Sequence, residues 1–178
     1  HGVEAFMIAS ELKASGVAAV VWSDWGAFKM EAYDNTTYNA RLLMEAGVVT
    51  SLHSDNAEIS TRMNWEAGKL LRTGVDEIAA LSTVTNQSAK AIAIDSRVGS
   101  LEAGKDADFV IWNGNPLSQF TKAEQTWVDG RRYFSLDEDT ALRAETARQR
   151  AQLIQAVLAA APAENAPAGA PARPRGTE

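Results

Sequence analysis

Two short runs of mostly apolar residues, VAAVVW at 17–22 and VVTSL at 48–52, each begin directly after a glycine that stops an amphipathic stretch. This alternation constrains the fold more than any other feature. Ala5, Ile8, Ala9 and Leu12 recur at helical spacing ahead of Gly16, and Ala40, Leu43 and Met44 share one helical side ahead of Gly47. Continuous apolar character over five or six residues suits a parallel strand covered by helices on both faces. A further amphipathic pattern, Met63, Ala67, Leu70 and Leu71, stops at Gly74, and Asp76 and Asn86 stand where N-caps of two short helices belong. Repeated helix and strand in this order predicts an α/β fold, specifically the C-terminal part of a (β/α)8 barrel.

The texture changes near Asp95. Residues 97–101, 109–112 and 126–134 read as strands joined by glycine turns, with Asp129-Gly130 as a hairpin turn, so a small β layer follows the barrel segment. Ser135 and Glu138 have capping-box spacing, and Ala147, Ala151, Ile154 and Leu158 form the apolar side of a charged terminal helix that is expected to pack. From 159 onward the chain is rich in Ala and Pro, and it holds too little apolar surface to offset its ordering entropy. The expected organisation is therefore barrel segment 1–94, β layer 95–134, helix 135–158 and a disordered tail 159–178.

Net charge of -6 and a pI near 5.0, with no basic cluster outside the extreme tail, argue against nucleic acid or an anionic membrane as partner. A small-molecule substrate is expected instead, with homo-oligomer formation left open. Zero cysteines exclude a disulfide framework and any thiolate metal site, so a metal would need His and carboxylate ligands. The chain starts at His1 without an initiator Met, and its 178 residues fall short of the roughly 250 of a closed (β/α)8 barrel, so it reads as a fragment. Any signal peptide would lie upstream, which leaves a cytoplasmic or exported location open.

Asp55 stands just past the second apolar run, in His53-Ser54-Asp55-Asn56. The carboxyl ends of barrel strands are where such folds keep their catalysts. Spacing alone allows a second role, because Asp55 and Glu58 also sit at N-cap and N3 positions of the next helix. His53 precedes Asp55 by two residues, so on extended backbone both project to the same side. The loop after the first run, Trp22-Ser23-Asp24-Trp25-Gly26-Ala27-Phe28-Lys29, falls on the same barrel face. There Trp22, Asp24 and Trp25 are candidate substrate contacts; alternatively the aromatics cover the barrel mouth and Asp24 caps a turn.

The segment VGSLEAGKDADFVIW at 98–112 resembles the part that closes metal-dependent amidohydrolases of the imidazolonepropionase-like group. HGVEA at 1–5, SDNAE at 54–58, TNQSA at 85–89 and QTWVDG at 125–130 support the resemblance in the right order. It covers residues 1–134 and matches the last part of such an enzyme. The resemblance implies a (β/α)8 barrel holding one or two divalent metals, most often zinc, with 17–22 and 48–52 as its last two strands and a small composite β-sandwich built from both chain ends. It implies that Asp55 is a metal ligand and proton shuttle and that His1 is a metal ligand. His53 is not demanded by the family pattern and is expected behind the ligands, or in the barrel interior. Lys105, Asp106 and Asp108 mark the family and are read as solvated hairpin charges. The implied activity is hydrolysis of a non-peptide or small peptide-like C-N bond by metal-activated water. Compatible substrates are imidazolone-type rings, cyclic amides, N-acylated amino acids and small dipeptides.

The His-x-His pair of the family's first strand and its bridging Lys or Glu are absent from these residues, so the chain alone is expected to be inactive. The competing expectation is a catalytically dead relative that serves as a binding or assembly module, with helix 135–158 contacting a partner.

Overall fold

The computed structural model describes residues 1–160. Two compact units divide the chain, residues 1–136 and a second beginning at Asp137. In the first unit a 3-10 turn, Ala5–Ile8, leads into α1 (Ala9–Ser15), which Gly16 ends in the left-handed conformation as the sequence predicts. Strand β1 (Ala19–Val21) follows, then the loop of interest, then α2 (Asn39–Glu45) and β2 (Thr50–Leu52). Both strands are shorter than the apolar runs that announced them. They pair in parallel, with Ala19 opposite Thr50, Val20 opposite Ser51 and Val21 opposite Leu52.

β2 is buried throughout, whereas β1 is buried at Ala19 and Val21 and exposed at Val20. The expected cover on both faces therefore holds for one strand and only partly for the other. Val20 lies beside an open apolar hollow of about 540 Å³ that Met7, Ile8 and Leu12 also line. On the far edge of β2 the Leu52 amide donates to the Thr83 carbonyl, and Ser88 hydrogen-bonds both Thr83 and Ser51.

Beyond β2 come α3 (Ala57–Ser60), α4 (Met63–Lys69), α5 (Glu77–Ser82) and α6 (Asn86–Ala91). Asp76 caps α5 through the Ala79 amide, as expected. Asn86 does not cap α6: it is the first helical residue, and Thr85 takes the cap position without a side-chain bond. Val21, Leu43, Leu52, Ala67, Leu70, Ala80 and Leu117 form one core beneath the strands.

Residues 97–101, expected as a strand, form turns and bends. Gly99 adopts φ +90°, and the Asp106 amide returns to the Arg97 carbonyl while their side chains pair at 2.7 Å. That closed loop removes the extended backbone a ladder needs. The β layer is instead β3 (Phe109–Trp112), β4 (Ala123–Val128) and β5 (Arg131–Ser135), antiparallel in that order. Asp129 and Gly130 both have positive φ, as a tight two-residue hairpin between β4 and β5 requires.

Helix α7 (Leu136–Ala160) is continuous and takes in residues 159 and 160 of the segment read as tail; the remainder of that tail lies outside the described residues. None of its residues is buried, so Ile154 and Leu158 are exposed rather than packed as expected. No helix among the described residues is long and apolar enough to cross a membrane.

The helical part and the β layer of the first unit meet at Gly68. The Asn64 amide donates to the Pro116 carbonyl at 2.6 Å, and a methyl group on Gly68 would lie 2.5 Å from the Leu117 carbonyl oxygen. Alanine would gain about 1 kcal/mol of helix propensity. The forced backbone displacement costs about 1–3 kcal/mol and outweighs it. Gly68→Ala is therefore expected to lower the denaturation midpoint in chemical unfolding, not raise it.

Candidate metal centre

Three elements bring their ends together at the carboxyl ends of β1 and β2. Trp22 follows β1 directly, and His53 follows β2 directly with its amide donating to the Val21 carbonyl at 3.1 Å. His1 arrives from the other side. The Gly2 amide donates to the Val20 carbonyl at 2.9 Å, and Asn39, 1% exposed at the start of α2, holds the same segment with three bonds. Its amide nitrogen donates to the carbonyls of Gly2 and Val3, and its oxygen accepts from the Phe6 amide. A buried Asn with both ends of its amide satisfied fixes the position of His1 more firmly than the terminal residue could by itself.

His1 Nε2 lies 3.4 Å from Asp55 Oδ1, and His1 Nδ1 lies 3.3 Å from His53 Nε2. Donor atoms of His1, His53 and Asp55 all fall within 4.8 Å of one another. Donors around one ion at bond lengths of about 2.0–2.2 Å stand roughly 3–4 Å apart. Two imidazoles and a carboxylate suit zinc in chemistry; because His1 turns Nε2 to Asp55 and Nδ1 to His53, one ion could take only one of these nitrogens, and the side chains would have to close in from their 4.8 Å spread. Burial pushes the His53 imidazole below its ordinary pKa, against the opposing pull of Asp55. The neutral form so favoured is the one that can bind a metal.

The capping alternative for Asp55 is resolved by its neighbour. Asn56 caps α3, its side-chain oxygen accepting from the amides of Glu58 and Ile59 at 2.7 and 3.2 Å. Asp55 takes φ +51°, a left-handed conformation that Asp tolerates better than most residues, and its carboxylate turns to His1. His53, which the sequence set behind the ligands, stands beside them. The signal for it was its two-residue spacing from Asp55.

Aromatic rings wall this group. His1 stacks on Trp22 with centroids 4.7 Å apart, and His53 lies 5.2 Å from the same ring. Trp25 and Phe28 continue the wall, at 6.4 and 5.5 Å from Trp22. Trp22 is buried, whereas Phe28 is open to solvent. Asp24 does not share this surface: its Oδ1 pairs with Lys69 at 2.9 Å and its Oδ2 with Arg72 at 2.7 Å. It caps no turn.

The chain belongs to the amidohydrolase family, whose model matches residues 2–132. It is 32% identical over 118 residues to amidohydrolase tasK of Hapsidospora irregularis, an alignment covering 66% of this chain and 12% of that protein. The crystal structure of an amidohydrolase from Thermotoga maritima superposes with a TM-score of 0.71 at 31% identity, covering 76% of this chain and 36% of that one. An adenosine deaminase from Xanthomonas campestris with bound zinc shares the fold at a TM-score of 0.56 and 18% identity, over 84% of this chain and 40% of its own. The chain thus spans about an eighth of the curated relative and about a third of the Thermotoga structure.

Two tests follow from the local geometry. Asn56→Ala removes the cap of α3 and should cost about 0.5–2 kcal/mol of stability, read by urea denaturation. Burial raises the Asp24 carboxyl, but hydrogen bonds and charge from Lys69, then Arg72 and Ser23, outweigh it and hold the pKa below the ordinary value. A depressed folded pKa stabilises above the unfolded value and is lost as pH falls through the folded one. Asp24→Asn should therefore narrow the stability difference from wild type below about pH 4, where the unfolded carboxylate protonates, measured as thermal midpoints across pH.

Proposed function

We propose that this chain supplies the closing part of a (β/α)8 metal-dependent hydrolase that cleaves a C-N bond in a small amide-like molecule, with zinc as the metal. β1 and β2 are read as the last two barrel strands, and β3 to β5 as one side of a composite β layer. His1 and Asp55 are the assigned ligands, and His53 is added to them on its position. The observation that carries this reading is the meeting of His1, His53 and Asp55 at the carboxyl ends of two neighbouring parallel strands, where barrel enzymes place their chemistry.

A bound divalent ion would supply Lewis acidity and lower the pKa of a coordinated water from 15.7 to about 7. Asp55 is then read as the proton carrier of the group. Its carboxylate accepts a proton from the attacking water and returns it to the departing nitrogen, which would otherwise leave as a poorly stabilised anion. The half-exposed position of Asp55 lets substrate reach it, and the Asn56 cap leaves its oxygens free for the work. Trp22 and Trp25 form an apolar flank against which the acyl part of a substrate can lie. The His-x-His pair and the bridging Lys or Glu implied by the resemblance are not among these residues, so the chain alone is read as inactive.

In the intact protein, Asp55→Asn is expected to lower kcat by about 100 to 10,000-fold on amide substrates drawn from N-acylated amino acids, cyclic amides and small dipeptides. Zinc measured by mass spectrometry should fall in the same variant. Wild-type turnover in the variant would remove Asp55 from the reaction.

A further inference from the structure

Glu66, Lys69, Asp24 and Arg72 form a chain of charges that neither the metal group nor the hydrolytic step uses. Glu66 is 4% exposed on α4, so its carboxylate is nearly cut off from water. Its Oε2 accepts from the Ser23 hydroxyl at 2.5 Å and from the Lys69 ammonium at 2.9 Å. Lys69 passes on to Asp24 Oδ1 at 2.9 Å, and Arg72 holds Asp24 Oδ2 at 2.7 Å. A buried carboxylate with charged partners is costly to misplace, because breaking one contact leaves an uncompensated charge behind. The network therefore behaves as a stiff bracket.

Its location gives the bracket a purpose. Ser23 and Asp24 are the two residues between Trp22 and Trp25, so both anchors grip the short link joining two rings of the wall. Trp22 in turn stacks on His1 and lies against His53. Downstream, the Asn35 side-chain amide donates to the Trp25 carbonyl, and the Ala27 amide donates to the Ala32 carbonyl at 2.8 Å. The wall is thus fixed from both ends of its loop: upstream by the buried ion network, and downstream by these bonds and by the Lys29 ammonium, which lies 5.6 Å from the Trp22 ring and 5.3 Å from the Phe28 ring and pairs with Glu31.

We propose that this ion network is the positioning element of the substrate wall: it holds Trp22 and Trp25 in register with the His1, His53 and Asp55 group, and so governs substrate seating but not metal binding or bond cleavage. This rests on the hydrolase reading above. Asp24 is accordingly a positioning residue and not a substrate contact, since both its oxygens are engaged.

The test uses the intact zinc-loaded protein. Asp24→Asn weakens the bracket at its centre, Arg72→Met removes the exposed outer cation with little risk to folding, and Asp24→Glu keeps the charge as the conservative variant. Asp24→Asn is expected to raise KM about 10-fold with kcat within about 2-fold and zinc content unchanged; Arg72→Met should shift KM the same way by less, and Asp24→Glu should recover part of the loss. Labelling with 5-fluorotryptophan gives a second readout that does not depend on turnover. Signals assigned to Trp22 and Trp25 by single Trp→Phe changes should move in Asp24→Asn and Arg72→Met, while those of Trp112 and Trp127 in the β layer stay in place. Unmoved Trp22 and Trp25 signals in Arg72→Met would overturn the proposal even if Asp24→Asn failed to fold. So would an equal fall of kcat and zinc content with KM unchanged. If the wild-type protein hydrolyses none of the amides, the hydrolase reading fails, and the fluorine signals still decide whether the network sets the wall.

Discussion

The parallel pairing of β1 with β2 is the constraint on which the rest of the site depends. Each strand contributes only three residues, yet their register ends both at the same level and delivers Trp22 and His53 side by side. The bond from the His53 amide to the Val21 carbonyl carries the pairing one residue beyond the strands. A slip of one residue would send the side chains that now face the site to the opposite face. Buried Ser51 opposes such a slip, because its hydroxyl is paired with Ser88 on α6, a partner that a shifted register would take away.

Division of labour between adjacent residues is the second theme. A strand-to-helix junction needs a cap, and a catalytic carboxylate cannot both cap a helix and serve a reaction. Here Asn56 caps and Asp55, in a left-handed conformation, points elsewhere. The same separation recurs in the loop after β1, where Trp22 and Trp25 face the metal group while Ser23 and Asp24 between them face α4. The chain leaves β1 at Val21 and bends at Ser23 and Asp24, which turns these two side chains away from those of Trp22 and Trp25.

Much of this was legible in the sequence because it follows from local periodicity. The apolar runs at 17–22 and 48–52, the stops at Gly16 and Gly74, the Asp76 cap and the Asp129-Gly130 turn all rest on neighbours within a few residues. Asp55 was marked first by its place at a strand end and then by the family resemblance, and His1 by the resemblance alone, since nothing local brings residues 54 positions apart into contact. The misses share one physical origin. Asn39, Glu66 and Lys69 act through partners distant in sequence, and a buried polar residue on an amphipathic helix looks like any surface residue until its partners are known. The missing strand at 97–101 reflects the opposite case, where a glycine with positive φ and an Arg97 to Asp106 pair override local strand propensity.

Zinc affinity measures the central claim most directly: that the strand ends gather His1, His53 and Asp55 into one metal-holding group. A chelator-competition titration of the intact protein should show binding weakened more than about 10-fold in His1→Ala, in His53→Ala and in Asp55→Ala alike, beyond the lower limit for loss of a supporting residue. Wild-type affinity in all three variants would contradict the account, and would leave the convergence of these side chains without a metal to explain it.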